Sequence, residues 1–169
     1  MKTSHLVCAA LLIAAAPLAH ADSATITVTG NVLPGTCTIA PTLDVTLDDI
    51  DATDLKAGHD NGLKPAVLNF TSCVGVAGID LTFDGTDDAA QDGHWKNLAS
   101  TGGATGVAVA LLEGTAGNVF LKKTAKRSVV VNGAATAKFD MRTGYFRDAS
   151  TPLTAGTVSS QITVTAAYK

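Results

Sequence analysis

The sequence predicts an all-β protein with an immunoglobulin-like sandwich fold, and three observations support that fold class. Short segments of alternating apolar and polar residues recur along the chain, with Gly, Asn and Asp in the gaps between them. No long stretch has the 3.6-residue periodicity of an amphipathic helix. One cysteine pair, Cys37 and Cys73, falls within two of the predicted strands. Many short strands joined by one disulfide are typical of the immunoglobulin-like sandwich.

The first 21 residues have the pattern of a secretory signal peptide. Lys2 supplies the positive start, residues 6–18 form an apolar run, and Ala19-His20-Ala21 has the small-x-small form of a signal-peptidase site. The apolar run is shorter than the ~20 residues that a transmembrane helix needs. We therefore expect an exported mature chain that begins at Asp22 and forms one domain.

The predicted mature chain keeps only two cysteines, because Cys8 lies in the signal. In an exported protein a single pair is expected to form a disulfide, and we predict a Cys37–Cys73 bond. The alternative is a metal-binding or catalytic thiol pair. It lacks the CxxC spacing and the accompanying histidines that such sites require.

Alternation defines the remaining strands. In residues 66–73, the side chains of Ala66, Leu68 and Phe70 are predicted to point inward. Asn132-Gly133 is a dipeptide that can close a tight hairpin. The other predicted strands are residues 36–40 with a second half at 45–47 beyond Pro41, then 79–83, 107–111, 119–121, 129–131, 137–141 and 157–169.

The N-terminal stretch 24–32 alternates without a break. Thr and Asn occupy one face, and this pattern alone also fits an ordinary first strand of the sandwich. The apolar face consists of Ala24, Ile26, Val28, Gly30 and Val32.

The C-terminal segment 157–169 alternates as cleanly, and Gly156 precedes it. If this strand borders a groove, no later residue covers it, and a long uncovered apolar edge is an aggregation hazard that proteins seldom tolerate. Its shared face consists of Val158, Ser160, Ile162, Val164, Ala166 and Tyr168.

The chain resembles a chaperone–usher pilus subunit of the type 1 fimbrial family. The alternating N-terminus runs through Gly30-x-Val32 into Cys37, and the second cysteine ends the pattern Leu68-x-Phe70-x-x-Cys73. Near the C-terminus, Gly156 lies fourteenth from the end and Tyr168 is penultimate. One feature departs from the family. Its compact Phe-x-Ala-x-Tyr-like segment is replaced by Phe139 and Tyr145 with Met141-Arg142-Thr143-Gly144 between them, which leaves the register of that strand open.

The resemblance implies an immunoglobulin-like sandwich that lacks its final strand, which leaves a hydrophobic groove. A periplasmic chaperone fills this groove with its own strand, and at the outer-membrane usher the N-terminal strand of the next subunit replaces it. The implied organisation is a signal peptide at 1–21, a donor-strand extension at 22–33 and a pilin domain at 34–169. The donor face is the apolar face of residues 24–32 defined above. The implied groove edge is Gly156, Val158, Ile162, Val164 and Tyr168.

Two classes of function follow from this resemblance. The first is a structural subunit, in the shaft or as a minor adaptor, whose partners are copies of itself or other pilus subunits, the periplasmic chaperone and the usher. The second is an adhesin module that binds a host-surface ligand. Tip adhesins of this kind carry a receptor-binding domain ahead of the pilin domain and lack a donor strand, so one domain with a donor strand favours the structural subunit.

An unrelated secreted immunoglobulin-like binder is a third alternative. The expected location is an extracellular, cell-surface fimbrium reached through the periplasm.

Enzymatic, metal-dependent and nucleic-acid-binding functions are not expected. The chain has 12 Lys and Arg against 15 Asp and Glu, an acidic balance that disfavours nucleic acid and anionic membranes as partners. No Gly-x-Ser-x-Gly elbow is present, and we expect His59 and His94 to lie in surface loops. The acidic clusters at 48–54 and 84–92 lack the spacing of a calcium loop and are interpreted as solvated loop charge. We interpret Trp95 as a packing residue rather than a sugar-contacting aromatic. No catalytic residue, metal ligand or cofactor is predicted.

Overall fold

The computed structural model describes residues 25–169, so the predicted signal peptide and Ala24 lie outside the described residues. This part of the chain contains seven strands and no helix, and therefore no helix long and apolar enough to cross a membrane. The predicted all-β class is confirmed. The strands are β1 (Thr36–Ile39), β2 (Asp60–Val74), β3 (Gly78–Gly85), β4 (Val107–Glu113), β5 (Lys126–Val130), β6 (Ala137–Arg147) and β7 (Ile162–Tyr168).

The strands form two antiparallel sheets within the unit Val32–Lys169. The first sheet has the order β1-β2-β6-β4, and the second has the order β5-β3-β7. Ala66, Leu68 and Phe70 of β2 are buried as predicted. This alternation gives each sheet one apolar face, and the two faces form the core of a sandwich. Its fully buried side chains include Phe70, Val76, Ile79, Leu81, Phe83, Trp95 and Leu121.

A second, smaller cluster lies apart from the main core. It contains Ala108, Ala110 and Leu112 of β4 together with Phe146 of β6, and Leu63 and Phe120 pack against it. Because Val109 and Leu111 of the same strand belong to the main core, β4 is buried on both faces. The predicted strand 107–111 therefore lacks the polar face that most strands of this protein have.

Two predicted strands are wrong. Residues 45–47 form no strand, and residues 119–121 form only an isolated bridge between Phe120 and Leu112.

The strand that begins at Ala137 is longer than predicted and continues to Arg147, so Phe139 and Tyr145 lie on one strand. Their partners on β2 are Leu68 and Asn61, which fixes the register that the sequence left open.

The Asn132-Gly133 turn has the expected conformation but a different role. Both residues have positive φ, 50° and 75°, as a type I′ turn requires. The strands on either side, however, belong to different sheets, since β5 pairs with β3 and β6 pairs with β2 and β4. The turn therefore carries the chain from one sheet to the other and does not close a hairpin.

The predicted disulfide is confirmed. Cys37 of β1 is bonded to Cys73 of β2, and both residues are buried. The two strands are neighbours, with Thr36 paired to Val74 and Thr38 paired to Thr71 across a register shift. The bond fixes a strand of only four residues to one of fifteen.

Removing this bond should destabilise the protein substantially. By the chain-entropy relation, a crosslink across 36 residues contributes about 4 kcal/mol, so the double variant Cys37→Ala/Cys73→Ala should lose about 2–4 kcal/mol of unfolding free energy. Urea unfolding measures this loss, and reduced wild-type protein serves as the matched control. Thiol labelling of folded, unreduced protein should find no free cysteine at these positions, and two labelled thiols would contradict the bond.

Candidate functional site

A long groove has a volume of about 990 Å³. One wall is formed by β7 and the residues just before it, and the other wall is the segment 40–50. Its floor comes from the first sheet, whose apolar side chains are otherwise covered by the second sheet. Along one wall the even-numbered residues from Val158 to Tyr168 are half-buried, while most of the odd-numbered residues are exposed. The floor includes Ala66, Leu68, Val109, Leu111 and Met141.

The backbone of β7 is bonded on one side only. Lys169 donates to Gly78 O at 2.9 Å and accepts from Gly78 N at 3.4 Å, so this pair exchanges both backbone bonds. Such pairs alternate along an antiparallel ladder, and the odd-numbered residues of β7 therefore bond to β3. The N–H and C=O groups of the even-numbered residues consequently point away from β3, toward the groove.

The same division continues before β7. Thr157 N donates to Gly102 O at 2.8 Å, and Ser159 O accepts from Leu98 N at 2.7 Å. Asn97 Oδ1 also accepts from Ser159 N at 3.0 Å. By contrast, the backbones of Val158 and Ser160 make no hydrogen bond within residues 25–169. The unbonded edge therefore extends from residue 158 through β7.

The opposite wall of the groove is also unbonded along its backbone. In the described part of the chain, residues 41–50 make no backbone-to-backbone hydrogen bond and form no strand. Side chains hold the segment instead. Lys64 Nζ donates to Thr46 O at 3.0 Å, and the Tyr145 hydroxyl donates to Asp48 O at 3.1 Å. Two free backbone edges therefore face each other across an apolar floor.

Beyond one end of the groove, a hydrogen bond joins β7 to β1. The Tyr168 hydroxyl donates to Cys37 O at 3.1 Å, which joins the end of β7 to β1 beside the disulfide. The predicted edge residues Val158, Ile162 and Val164 line the groove, and Tyr168 lies beyond this end. Gly156 lies near the other end and contacts the backbone of Gly102 and Gly103, where a Cβ would clash.

The loop after β6 leads into the groove, and Asp148 organises it. The Asp148 carboxylate accepts hydrogen bonds from the Thr151 hydroxyl and, at 2.7 Å each, from Ser150 N and Ser150 Oγ. These bonds favour the charged carboxylate and lower its pKa to about 2, with the Thr151 hydroxyl as the largest cause. The Arg147 guanidinium secures the same loop by donating to Gly106 O and Thr151 O.

The predicted donor residues lie in a segment without secondary structure. Residues 25–35 form no strand, and the side chains of Ile26 and Val28 are both 86% exposed. Val32 is exposed as well, and a Cβ built on Gly30 would meet no atom within 4 Å. Ala24, the first predicted donor residue, lies outside the described residues.

The prediction for His94 is wrong, because this residue is buried. Only 6% of its surface is exposed, and its ring stacks on Phe146 at a centroid distance of 3.7 Å and lies 4.7 Å from Phe120. Its Nε2 is 3.4 Å from Asp60 Oδ1. His59 is exposed, as predicted. Trp95 is fully buried and donates from Nε1 to Leu121 O at 3.0 Å, which confirms its role in packing.

Three aspartates of the two acidic clusters form ion pairs at the surface. Asp92 pairs with Lys122 at 3.1 Å, Asp87 with Lys123 at 3.6 Å, and Asp48 with Lys64 at 2.7 Å. Within residues 25–169 no group of three or more His, Cys, Asp or Glu side chains is arranged to hold a metal ion.

The sequence did not identify the groove floor or the wall at 40–50 as parts of the site. Leu68 and Ala66 were predicted to be buried, but alternation alone does not distinguish a covered core position from a groove floor. Ser160 was placed on the correct face of its strand without being assigned a role. Its hydroxyl is shielded from solvent and has no hydrogen-bond partner among the described residues.

A model of the fimbrial protein family matches residues 26–169, so the chain belongs to this family. Fimbrial proteins are exported structural or adhesive components of surface pili and are not enzymes. The resemblance to chaperone–usher pilus subunits that the sequence indicated is confirmed.

Particular relatives agree with this assignment. The S-fimbrial adhesin protein SfaS of Escherichia coli O6:K15:H31 (strain 536 / UPEC) is 31% identical over 152 residues, which are 89% of this chain and 88% of the relative. The Burkholderia pseudomallei antigen and type I fimbria protein BPSL1626 has a similar structure, with a TM-score of 0.60, 21% identity, and coverage of 80% of this chain and 91% of that one. A subunit of a chaperone–usher pilus gives a TM-score of 0.61 at 17% identity, with coverage of 91% and 100%. The two structural likenesses establish the pilin fold.

The Asp148 carboxylate should make stability depend on pH in the acid range. Its folded pKa of about 2 lies below the value near 3.9 of an unfolded aspartate, so the unfolded state binds more protons between these values. This contribution is therefore complete above about pH 4 and is lost as the pH falls toward 2. Asp148→Asn should lower stability at pH 7 and weaken the loss between pH 4 and 2. Urea unfolding at several pH values measures both effects. The exposed Asp54→Asn is the control, and an unchanged pH dependence in Asp148→Asn would contradict this role.

Proposed function

We propose that the chain is a structural subunit of an adhesive fimbria and that it polymerises by donor-strand exchange. The observation that carries this proposal is the groove, because two backbone edges with unbonded N–H and C=O groups face each other across an apolar floor. One inserted strand would bond to both edges and bury its alternate side chains on the floor.

The proposed cycle has two occupants of the same groove. A periplasmic chaperone first covers the edge formed by Val158, Ile162, Val164 and Tyr168. At the outer-membrane usher, the N-terminal segment 22–33 of another subunit replaces the chaperone strand. The exposure of Ile26, Val28 and Val32 supports this donor role, since these large apolar side chains lack a buried site in their own segment. Each could contribute ~1.5–3 kcal/mol when it is buried in a neighbour.

Deleting residues 22–31 should separate donation from folding. The variant should still be recovered with its chaperone at the wild-type yield, because the groove and core lie in the unit Val32–Lys169. It should not be added below another subunit, so pili should be absent or terminate early. Counting pili by electron microscopy and measuring chaperone-complex yield in the same strain tests this. If the segment were an ordinary first strand, pilus number would fall only as far as chaperone-complex yield does.

A matched pair of point variants tests the same segment without deletion. Val28→Asp would force a carboxylate into the apolar groove of a neighbour, which carries a large desolvation penalty. Thr27→Ser changes the opposite face of the segment and should leave assembly unchanged. Equal assembly by both variants would contradict the proposed donor face.

An adhesin is the second candidate function, and one observation favours it. The relative SfaS is named an adhesin, and this chain covers 88% of its length, so the match does not depend on a separate additional domain. Immunogold labelling distinguishes the positions of the two roles, since label along the fibre supports a shaft subunit and label only at tips supports an adaptor or adhesin. For the adhesin role, cells that lack this chain but carry normal numbers of pili should lose host-cell binding.

A further inference from the structure

We propose that the end of the domain from which the N-terminal segment leaves is a second contact surface, separate from the groove, which packs against a neighbouring copy of this chain. We call this end the base and define it by three stretches, 33–36, 74–77 and 130–136. This inference rests on the proposed function, because it takes the neighbour that receives segment 22–33 as the partner. It concerns contacts between the ends of two domains, outside the groove.

Hydrogen bonds hold the three stretches of the base together. Gly35 N donates to Gly75 O at 3.2 Å, which joins the entry to β1 to the turn after β2. In the same turn, Ala77 O accepts from Val131 N at 3.0 Å and from Asn132 N at 2.9 Å. The entry to β1, the turn between β2 and β3 and the turn between β5 and β6 therefore form one end of the domain.

The base is uncharged and exposes large apolar side chains. Its three stretches contain no Asp, Glu, Lys, Arg or His, although the chain has 12 Lys and Arg and 15 Asp and Glu. Leu33, Val74 and Val130 are each at least 72% exposed. Apolar side chains that are grouped at the surface without charges among them are typical of interaction sites. The base therefore has the chemistry of a protein contact.

The short connection to the donor segment identifies the partner. Val32 is the last residue of the proposed donor face, and Gly35 is already bonded to the domain. The three residue steps between them span at most about 11 Å. Pro34 also fixes its own φ and favours an extended conformation for Leu33, so the connection has little freedom. A neighbour that binds Val32 therefore meets the base.

The matching surface on the neighbour is the end of the domain where its groove opens. The Tyr168–Cys37 hydrogen bond lies beyond one end of the groove, which leaves the opposite end as the exit for a strand that continues into another domain. Residues 97–106 and 149–157 border this exit, and they also contain no charged residue. Leu98 is exposed there. Two uncharged surfaces lose little solvation when they meet, so they suit each other.

The base and this exit lie at opposite ends of the domain. β2 runs from Asp60, which pairs with Phe146 beside the loop after β6, to Val74 at the base. A contact between two different ends is heterologous, and in an open filament such a contact continues from copy to copy. A second copy as the partner therefore repeats the same contact at each step along a fibre.

Photocrosslinking in assembled fibres tests the contact and the partner. A photoreactive benzoylphenylalanine replaces Val74 or Val130 in the full-length chain. Val119 is the matched control position, since it is also a large exposed apolar residue but lies outside the base. Irradiated fibres with the probe at position 74 or 130 should give crosslinked dimers of this chain, whereas position 119 should give none above an unirradiated sample. Mass spectrometry should place the crosslinks in residues 97–106 or 149–157 of the second copy.

The outcomes separate this inference from the proposed function. Crosslinks from the base to a different subunit would overturn the second copy as the partner, and crosslinks to another part of the second copy would overturn the matching surface. Fibres that require residues 22–31 but give no crosslink from position 74 or 130 would overturn the contact and leave strand donation intact. Fibres of normal number after deletion of residues 22–31 would overturn the proposed function itself, and this inference with it.

Charged variants of the base test whether the contact stiffens the fibre. Val74→Asp/Val130→Asp should keep the wild-type chaperone-complex yield, because both side chains are exposed in the subunit. The donor segment and the groove are unchanged, so fibres should still form. Their persistence length, measured by electron microscopy, should fall about twofold or more, since the new carboxylates resist burial between domains. Val119→Asp is the control, and wild-type stiffness in the double variant would overturn the contact.

Discussion

The open groove exists because two stretches of backbone lack a neighbouring strand in the described chain. The even-numbered residues from 158 to 168 have backbone groups that face the apolar groove without a partner in the described chain, and residues 41–50 make no backbone-to-backbone hydrogen bond there. Buried backbone groups are nearly always bonded in folded proteins, so this arrangement is complete only with another strand. Val158, Ile162 and Val164 are only half-buried for the same reason. Their side chains are apolar, like those of the core, but they have a neighbouring strand on one side only. In the proposed donor-strand exchange, folding and assembly would therefore be parts of one process.

Two other sheet edges, those of β4 and β5, are protected. The free side of β4 is covered by Trp95, which pairs with Val109, and by the segment around Phe120. β5 carries Lys126 and Arg127 at its edge, and Arg127 forms an ion pair with Glu113 of β4. Charged and covered edges suppress unwanted strand pairing. With these edges protected, the proposed strand exchange would be confined to the groove, which favours linear polymers over disordered aggregates.

Alternation in the sequence predicted the strands, the inward side chains of β2 and the groove-facing row of β7, because side-chain direction is a local property. It failed at residues 45–47, since a strand also needs a bonded neighbour, and this segment is held by Lys64 and Tyr145 side chains instead. It failed at His94 because the glycine-rich polar context gave no sign that Phe146 would stack on the ring. The groove floor could not be predicted either, since it depends on which core residues remain uncovered after the sheets pack.

The disulfide has a mechanical consequence for a fibre built in this way. Tension between subunits would enter each domain through the N-terminal segment, which leads directly into β1 at Thr36. A strand of four residues has few hydrogen bonds with which to resist peeling. The next residue, however, is Cys37, and its covalent bond to Cys73 transfers the load to β2, the longest strand, which lies between β1 and β6 in the sheet. The covalent bond therefore bypasses a strand of only four residues, so the disulfide and not the hydrogen bonds of β1 would bear the load.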